Sequence, residues 1–149
     1  MEVINKDSVI LRMAKKTKRL NVEALAKKAI LNNKQDLIDL NTDMLRQGKN
    51  EDGNNEIYQS LDYAEYKKEL PTYFAPYPTV DLYNTGDYQA KKILKIEGSN
   101  VSFPSTDTKN DDLTDRYGEG IEGLNPKSME LARDIVTPDF NKYLHELLR

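Results

Sequence analysis

Apolar positions recur at helical spacing through the first third of the chain and again over its last twenty-five residues. Only between Ile93 and Glu97 do they switch to simple alternation. Ile10, Met13, Thr17 and Leu20 fall on one face of a helix predicted over about 8–20, which Asp7-Ser8 can cap. Arg12, Lys15, Lys16 and Arg19 form a stripe on another face, so residues 1–20 read as a basic amphipathic helix. Asn21 can cap the next helix, whose buried side is Val22, Leu25, Ala26, Ala29 and Ile30, resuming with Leu37, Leu40, Met44 and Leu45 and stopping at Gly48. One helix over about 22–47 is the expectation, with Asn32-Asn33 the place where it could break.

After a turn-forming NEDGNNE, Asn50 to Glu56, Ser60 can cap a short helix that Pro71 ends. PTYFAPYP, Pro71 to Pro78, resists both helix and central strand and reads as an ordered arm or long loop over 70–80. Ile93 to Glu97 then alternates with period two and turns at Gly98-Ser99-Asn100, which predicts a hairpin over about 92–106. Another short helix, DDLTDRYG, closes at Gly118. Asn125-Pro126 and Thr137-Pro138 each set a capping residue before proline, which predicts a C-terminal helix pair. The whole is an α+β chain, read as a single domain over 1–149: long N-terminal helices, a small antiparallel sheet and that terminal pair.

Composition narrows the picture. With 38% hydrophobic residues, 32% charged residues and a mean hydropathy of −0.77, the core is thin, and neighbouring subunits are expected to cover what it leaves open. The absence of cysteine excludes disulfides, thiolate zinc sites and cysteine nucleophiles. No apolar run approaches the ~18 residues of a membrane span, and the first twenty residues lack a signal-peptide core, so synthesis in a cytoplasm without membrane insertion is expected. Charge is uneven: residues 1–34 hold nine Lys/Arg against three Asp/Glu, whereas the remainder is strongly acidic. Such asymmetry suits head-to-tail stacking of copies, or a basic end facing an acidic partner.

The residue types that carry chemistry form no catalytic pattern. His145 is the one histidine, too little for a relay or a histidine-based zinc site. Asp107, Asp111, Asp112 and Asp115, or Glu51, Asp52 and Glu56, do not keep the spacing of a calcium loop. Hence no catalytic, cofactor or metal residues are assigned. The nine tyrosines are more telling, since seven of them lie between Tyr58 and Tyr88. Tyrosine joins a broad apolar face to a polar tip and is enriched at protein interfaces. Tyr73, Tyr77, Tyr83 and Tyr88 are therefore the expected subunit contacts, with Arg12, Lys15, Lys16 and Arg19 as a charged docking face. Thr85-Gly86 and the glycines Gly118 and Gly123 are expected to turn the backbone.

The order of short motifs adds a resemblance. LIDLNTDML (37–45), IYQSLDYAEYKK (57–68), LYNTGDY (82–88) and STDTKNDDLTDRYGEGIEGL (105–124) resemble structural proteins of tailed phages and prophages of gut Bacteroides-type bacteria. Those proteins share a Leu-Asn-Thr step, a Thr-Gly-Asp-aromatic step and a Tyr-Gly…Ile-x-Gly-Leu close. More distantly the pattern is similar to the neck, or tail-completion, proteins of long-tailed phages. Asn84 stands where that family commonly has Asp, and PTYFAPYP is peculiar to this chain. The resemblance implies a virion subunit of the head–tail junction, forming a homo-oligomeric ring without catalysis. Its implied partners are copies of itself and other neck, portal-adaptor or tail proteins, and genomic DNA passes through the lumen without sequence-specific contact. A small phage regulator that binds nucleic acid through the basic helix is the competing expectation. A cell-wall hydrolase ranks below both, because no carboxylate pair stands out.

Overall fold

The helical pattern that starts at Asn21 breaks at its paired asparagines. A computed structural model describes residues 21–148 and shows an α+β chain. The basic helix expected over 8–20, with Arg12, Lys15, Lys16 and Arg19, lies outside the described residues. Helix α1 covers residues 21–32, Asn33 forms a turn, and α2 runs Lys34–Arg46, so the single helix expected over 22–47 is two. The cause is local: the Asn33 amide donates to the Ala29 carbonyl at 2.8 Å, and its backbone N–H tightens onto Ile30 at 3.1 Å.

The described residues fall into two compact units, residues 21–33 with 136–148, and Lys34–Ile135. In the first, Ala29 is fully buried and the Lys28 ammonium sits 4.1 Å from the centre of the Tyr143 ring. The amides of Asn32 and Asn33 both donate to Asp139 Oδ2 at 2.8 Å, and hold that carboxyl below the usual range.

In the second unit, α2 buries Leu37, Ile38, Asn41, Met44 and Leu45. The core gathers Met44, Leu45, Tyr88 and Ile121, with Leu82, Leu113 and Tyr117 packed against it. Past α2 the chain reverses at Gly48 into a short antiparallel pair, β1 Lys49–Asn50 and β2 Gly53–Asn54. Gly48 has φ +77°, and a β-carbon there would lie 2.7 Å from Thr79 Cγ2 and 3.0 Å from Ala75 Cβ. Gly48→Ala is therefore expected to destabilise by about 1–3 kcal/mol, from left-handed strain plus overpacking, read as a lower urea midpoint at unchanged slope.

Helix α3, Leu61–Lys68, begins at Ser60, whose hydroxyl accepts from Tyr63 N–H at 3.2 Å. The Pro/Tyr-rich segment that follows is a loop closed on its own chain. Residues 56–58 pair with 78–80: Tyr58 N–H donates to Pro78 O at 2.9 Å, Val80 N–H to Glu56 O at 2.8 Å, and Ile57 bridges Thr79. Arg46 reaches the Thr72 carbonyl at 3.2 Å from the end of α2.

Helix α4 is a single turn, Asp87–Ala90. The expected hairpin follows as β3 Lys95–Glu97 and β4 Asn100–Ser102, in register Lys95↔Ser102, Ile96↔Val101 and Glu97↔Asn100, and extended by the Lys92↔Ser105 bridge. Helix α5, Asn110–Tyr117, stops at Gly118, φ +84°, before a 3-10 turn, Glu119–Glu122. The C-terminus departs from expectation: one helix, α6, runs Pro126–Leu147 with Pro138 inside it. Asn125 caps it through Ser128 N–H at 2.9 Å. Thr137-Pro138 does not start a second helix: the apolar spacing Ala132, Val136, Phe140, Leu144 continues on both sides of the proline, and the helix runs on despite the backbone donor and the steric room that proline costs it. Among the described residues no helix is long and apolar enough to cross a membrane.

Candidate functional site

Helix α3 turns Ala64 and Lys67 inward. A lysine on a buried face needs a partner for its ammonium, and Lys67, 1% exposed, finds Asp81, 0% exposed, at 3.0 Å. The Lys67 ammonium also donates to the Tyr83 carbonyl. Asp81 Oδ1 further accepts the Tyr58 hydroxyl at 2.8 Å and the Tyr83 N–H at 3.2 Å. Burial, and then the Asp81 carboxylate that accepts its hydrogen bond, hold the Tyr58 phenol well above the ordinary tyrosine range. The other oxygen, Asp81 Oδ2, is buried without a hydrogen-bond partner.

This cluster fixes the backbone at Leu82, which has φ +52°, the one non-glycine residue with positive φ among those described. That conformation costs on the order of 1 kcal/mol for an L-residue. It is held from both sides: the Asp81 carboxylate closes a turn onto the Tyr83 N–H, and the Gln89 amide donates to the Leu82 carbonyl.

Leu82 and Tyr83 form one wall of a cleft of about 460 Å³. Tyr58 and Tyr63 come from the entry to α3, Asn84 to Tyr88 from the turn before and into α4, and Lys109, Leu113, Arg116 and Tyr117 from the α5 side. Five tyrosines thus share the lining, where Asp87 is the sole acid and Lys109 and Arg116 are the cations. Tyr58 and Tyr63 meet edge-to-face with centroids 5.2 Å apart. Tyr83 stacks on Arg46, whose guanidinium lies 4.6 Å from that ring and 4.7 Å from Phe74. The Lys67–Asp81 pair is sealed from solvent, so it shapes the cleft and does not react in it. Among the described residues there is no group of three or more His, Asp or Glu arranged to hold a metal.

The residues singled out from sequence scatter across these surroundings. Tyr73 is half-buried and fastens its own loop, its hydroxyl donating to Thr79 O at 2.7 Å. Tyr77 is exposed, donates to Glu65 Oε1 at 2.5 Å and lies under the Lys68 ammonium. Tyr83 lines the cleft. Tyr88, only 5% exposed and clustered with Met44, Leu45 and Ile121, is a core residue that also lines the cleft, so the reading of it as an open contact residue is corrected. Thr85 Oγ1 accepts the Asp87 N–H at 3.4 Å, and Gly86 between them has φ +89°. A β-carbon on Gly123 would come within 2.7 Å of the Glu51 carboxyl, so this glycine permits a close approach.

The Lys67–Asp81–Tyr58 cluster was not found by sequence reasoning. The signals were an aspartate set between Val80 and Leu82 and a lysine three residues after Ala64, both easily taken for exposed charges. No protein-family model, curated protein or solved structure matches the chain.

Proposed function

We propose that the chain is a non-catalytic structural subunit of a tailed-phage particle, at the head–tail junction, working by docking to copies of itself as a ring and to other neck or tail proteins. The observation that carries the reading is a group of large apolar side chains left exposed on the second unit. Ile57, Leu61, Tyr66 and Phe74 are each more than half exposed, and Tyr63 and Tyr77 border them. All come from α3 and the segments on either side of it. Exposed aromatics concentrated in so short a stretch are the composition of an interface. The motif resemblance supplies the particle, and the acidic remainder of the chain suits a ring whose lumen lets DNA pass.

The test is particle mass. The purified chain is expected to sediment as a closed oligomer and to occur in purified virions. Tyr66→Glu combined with Phe74→Asp is expected to shift the oligomer to monomer by at least tenfold in dissociation constant, because both side chains are exposed in the protomer and their replacement leaves its core intact. A wild-type chain that stays monomeric and is missing from virions would remove the proposal. Salt-sensitive binding to duplex DNA, lost in Lys15→Glu with Lys16→Glu, would favour the regulator instead.

A further inference from the structure

We infer that the tyrosine-lined cleft is the pocket of this docking face, and that it accepts an acidic peptide segment of a partner, one aromatic or prolyl side chain flanked by carboxylates. The inference rests on the docking reading and adds to it the chemistry of what docks. The cleft reaches the exposed side chains through Tyr63, which lines it and lies 6.1 Å, centroid to centroid, from exposed Tyr66. At about 460 Å³ it holds one or two side chains, a pocket's volume. Its walls are stiff: the Tyr58 hydroxyl is committed to Asp81, Tyr63 packs on Tyr58, and Leu82 is locked at φ +52°. Rigid aromatic walls accept a flat ring or a pyrrolidine with little ordering on the protein's side.

Charge names the rest of the occupant. Lys109 and Arg116, seven residues apart and hence on one side of α5, both border the cleft, and neither makes a salt bridge among the described residues. Against them stands Asp87 alone. This rim is positive in a chain of net charge −3. A guanidinium beside an aromatic wall suits a carboxylate next to a ring. A nucleic acid fits less well, because its successive phosphates need a track of cations and the cleft is lined by two.

The experiment titrates the full-length ¹⁵N-labelled chain with the peptide acetyl-Glu-Pro-Tyr-Asp-amide and follows amide shifts. A lysine-for-acid version of the peptide and oligo-dT serve as the other two probes. Saturable shifts are expected at Tyr63, Asn84, Thr85 and Arg116, weaker at high salt. Arg116→Glu, at an exposed position that takes no part in the buried Lys67–Asp81–Tyr58 hydrogen bonds, is expected to weaken binding about tenfold or more with an unchanged circular dichroism spectrum, and Arg116→Lys to restore part of it. Failure of the acidic peptide to shift these amides, indifference to Arg116→Glu, or equal shifts from the lysine peptide or oligo-dT would each overturn the inference. Sedimentation of the same samples separates the two proposals: oligomers without peptide binding sink the cleft, and peptide binding by a permanent monomer sinks the ring.

Discussion

Replacing Lys67 with methionine is expected to destabilise the fold by about 3–5 kcal/mol, the range for removing one partner of a buried ion pair. Methionine fills nearly the same volume, so the loss is electrostatic. Asp81 would keep the Tyr58 hydroxyl and the Tyr83 N–H, but its charge would stay in the interior without a counter-ion, and Oδ2 is already unpartnered. The Tyr83 carbonyl would lose its ammonium donor as well. The paired change Lys67→Met with Asp81→Leu is expected to lose less than the sum of the two single changes, since it removes both charges together. Tyr58→Phe, which removes one neutral donor to a carboxylate, belongs at about 1.5–3 kcal/mol. Urea denaturation followed by circular dichroism measures all four. If Lys67→Met unfolds at the wild-type midpoint, the pair is not what holds Leu82 in place.

Stability is expected to rise with pH between about 7 and 10, and Lys92 is the cause. Its side chain is 6% exposed, donates to the Phe103 carbonyl at 2.8 Å and lies 4.7 Å from the Tyr88 ring centre. Burial pushes its pKa down to about 7, against a smaller opposing pull from Glu122. Below pH 7 the amine is charged in both folded and unfolded chains, and the folded state carries the full cost of a buried cation. Between 7 and the ordinary lysine value near 10.5 the unfolded chain holds a proton that the folded chain has released, so stability climbs by about 1.4 kcal/mol per pH unit. Near pH 10 the sign changes. Tyr58 and Tyr88 are held above the ordinary tyrosine value, chiefly by burial, so the unfolded chain loses those protons first and stability falls. The result is a maximum close to pH 10. Lys92→Met is expected to flatten the rising limb and leave the falling limb in place. A rising limb that survives the substitution would show that another group produces it.

What was legible in the sequence is what neighbouring residues decide among themselves. Ser60 and Asn125 cap their helices because a short side-chain oxygen meets an N–H three residues on. Gly118 ends α5 because only glycine turns there at no strain, and the alternation from Ile93 to Glu97 marks a strand with one side half-covered. Local rules failed where distant contacts outweighed them. Thr137-Pro138 has the chemistry of a helix start, yet the apolar period on both sides keeps one helix going. Nothing local in PTYFAPYP shows that Arg46, twenty-six residues before Thr72, helps fold it back. The cleft was the least legible. It depends on Lys67 and Asp81 going inward, and charged residues give no sign in sequence that they will do so.

Asn41 is fully buried in α2, and its amide donates to the carbonyls of Ile121 at 3.1 Å and Gly123 at 2.8 Å, some eighty residues away. Leu40-Asn41-Thr42 and Ile121-Glu122-Gly123-Leu124 are two of the short motifs singled out in the sequence, and Tyr88, from the Thr-Gly-Asp-Tyr motif, clusters with the same Ile121. Three short words far apart in the text are thus one knot in space. Proteins that spell them alike would inherit a common interior, while leaving the outer skin of each free to diverge toward a companion of its own.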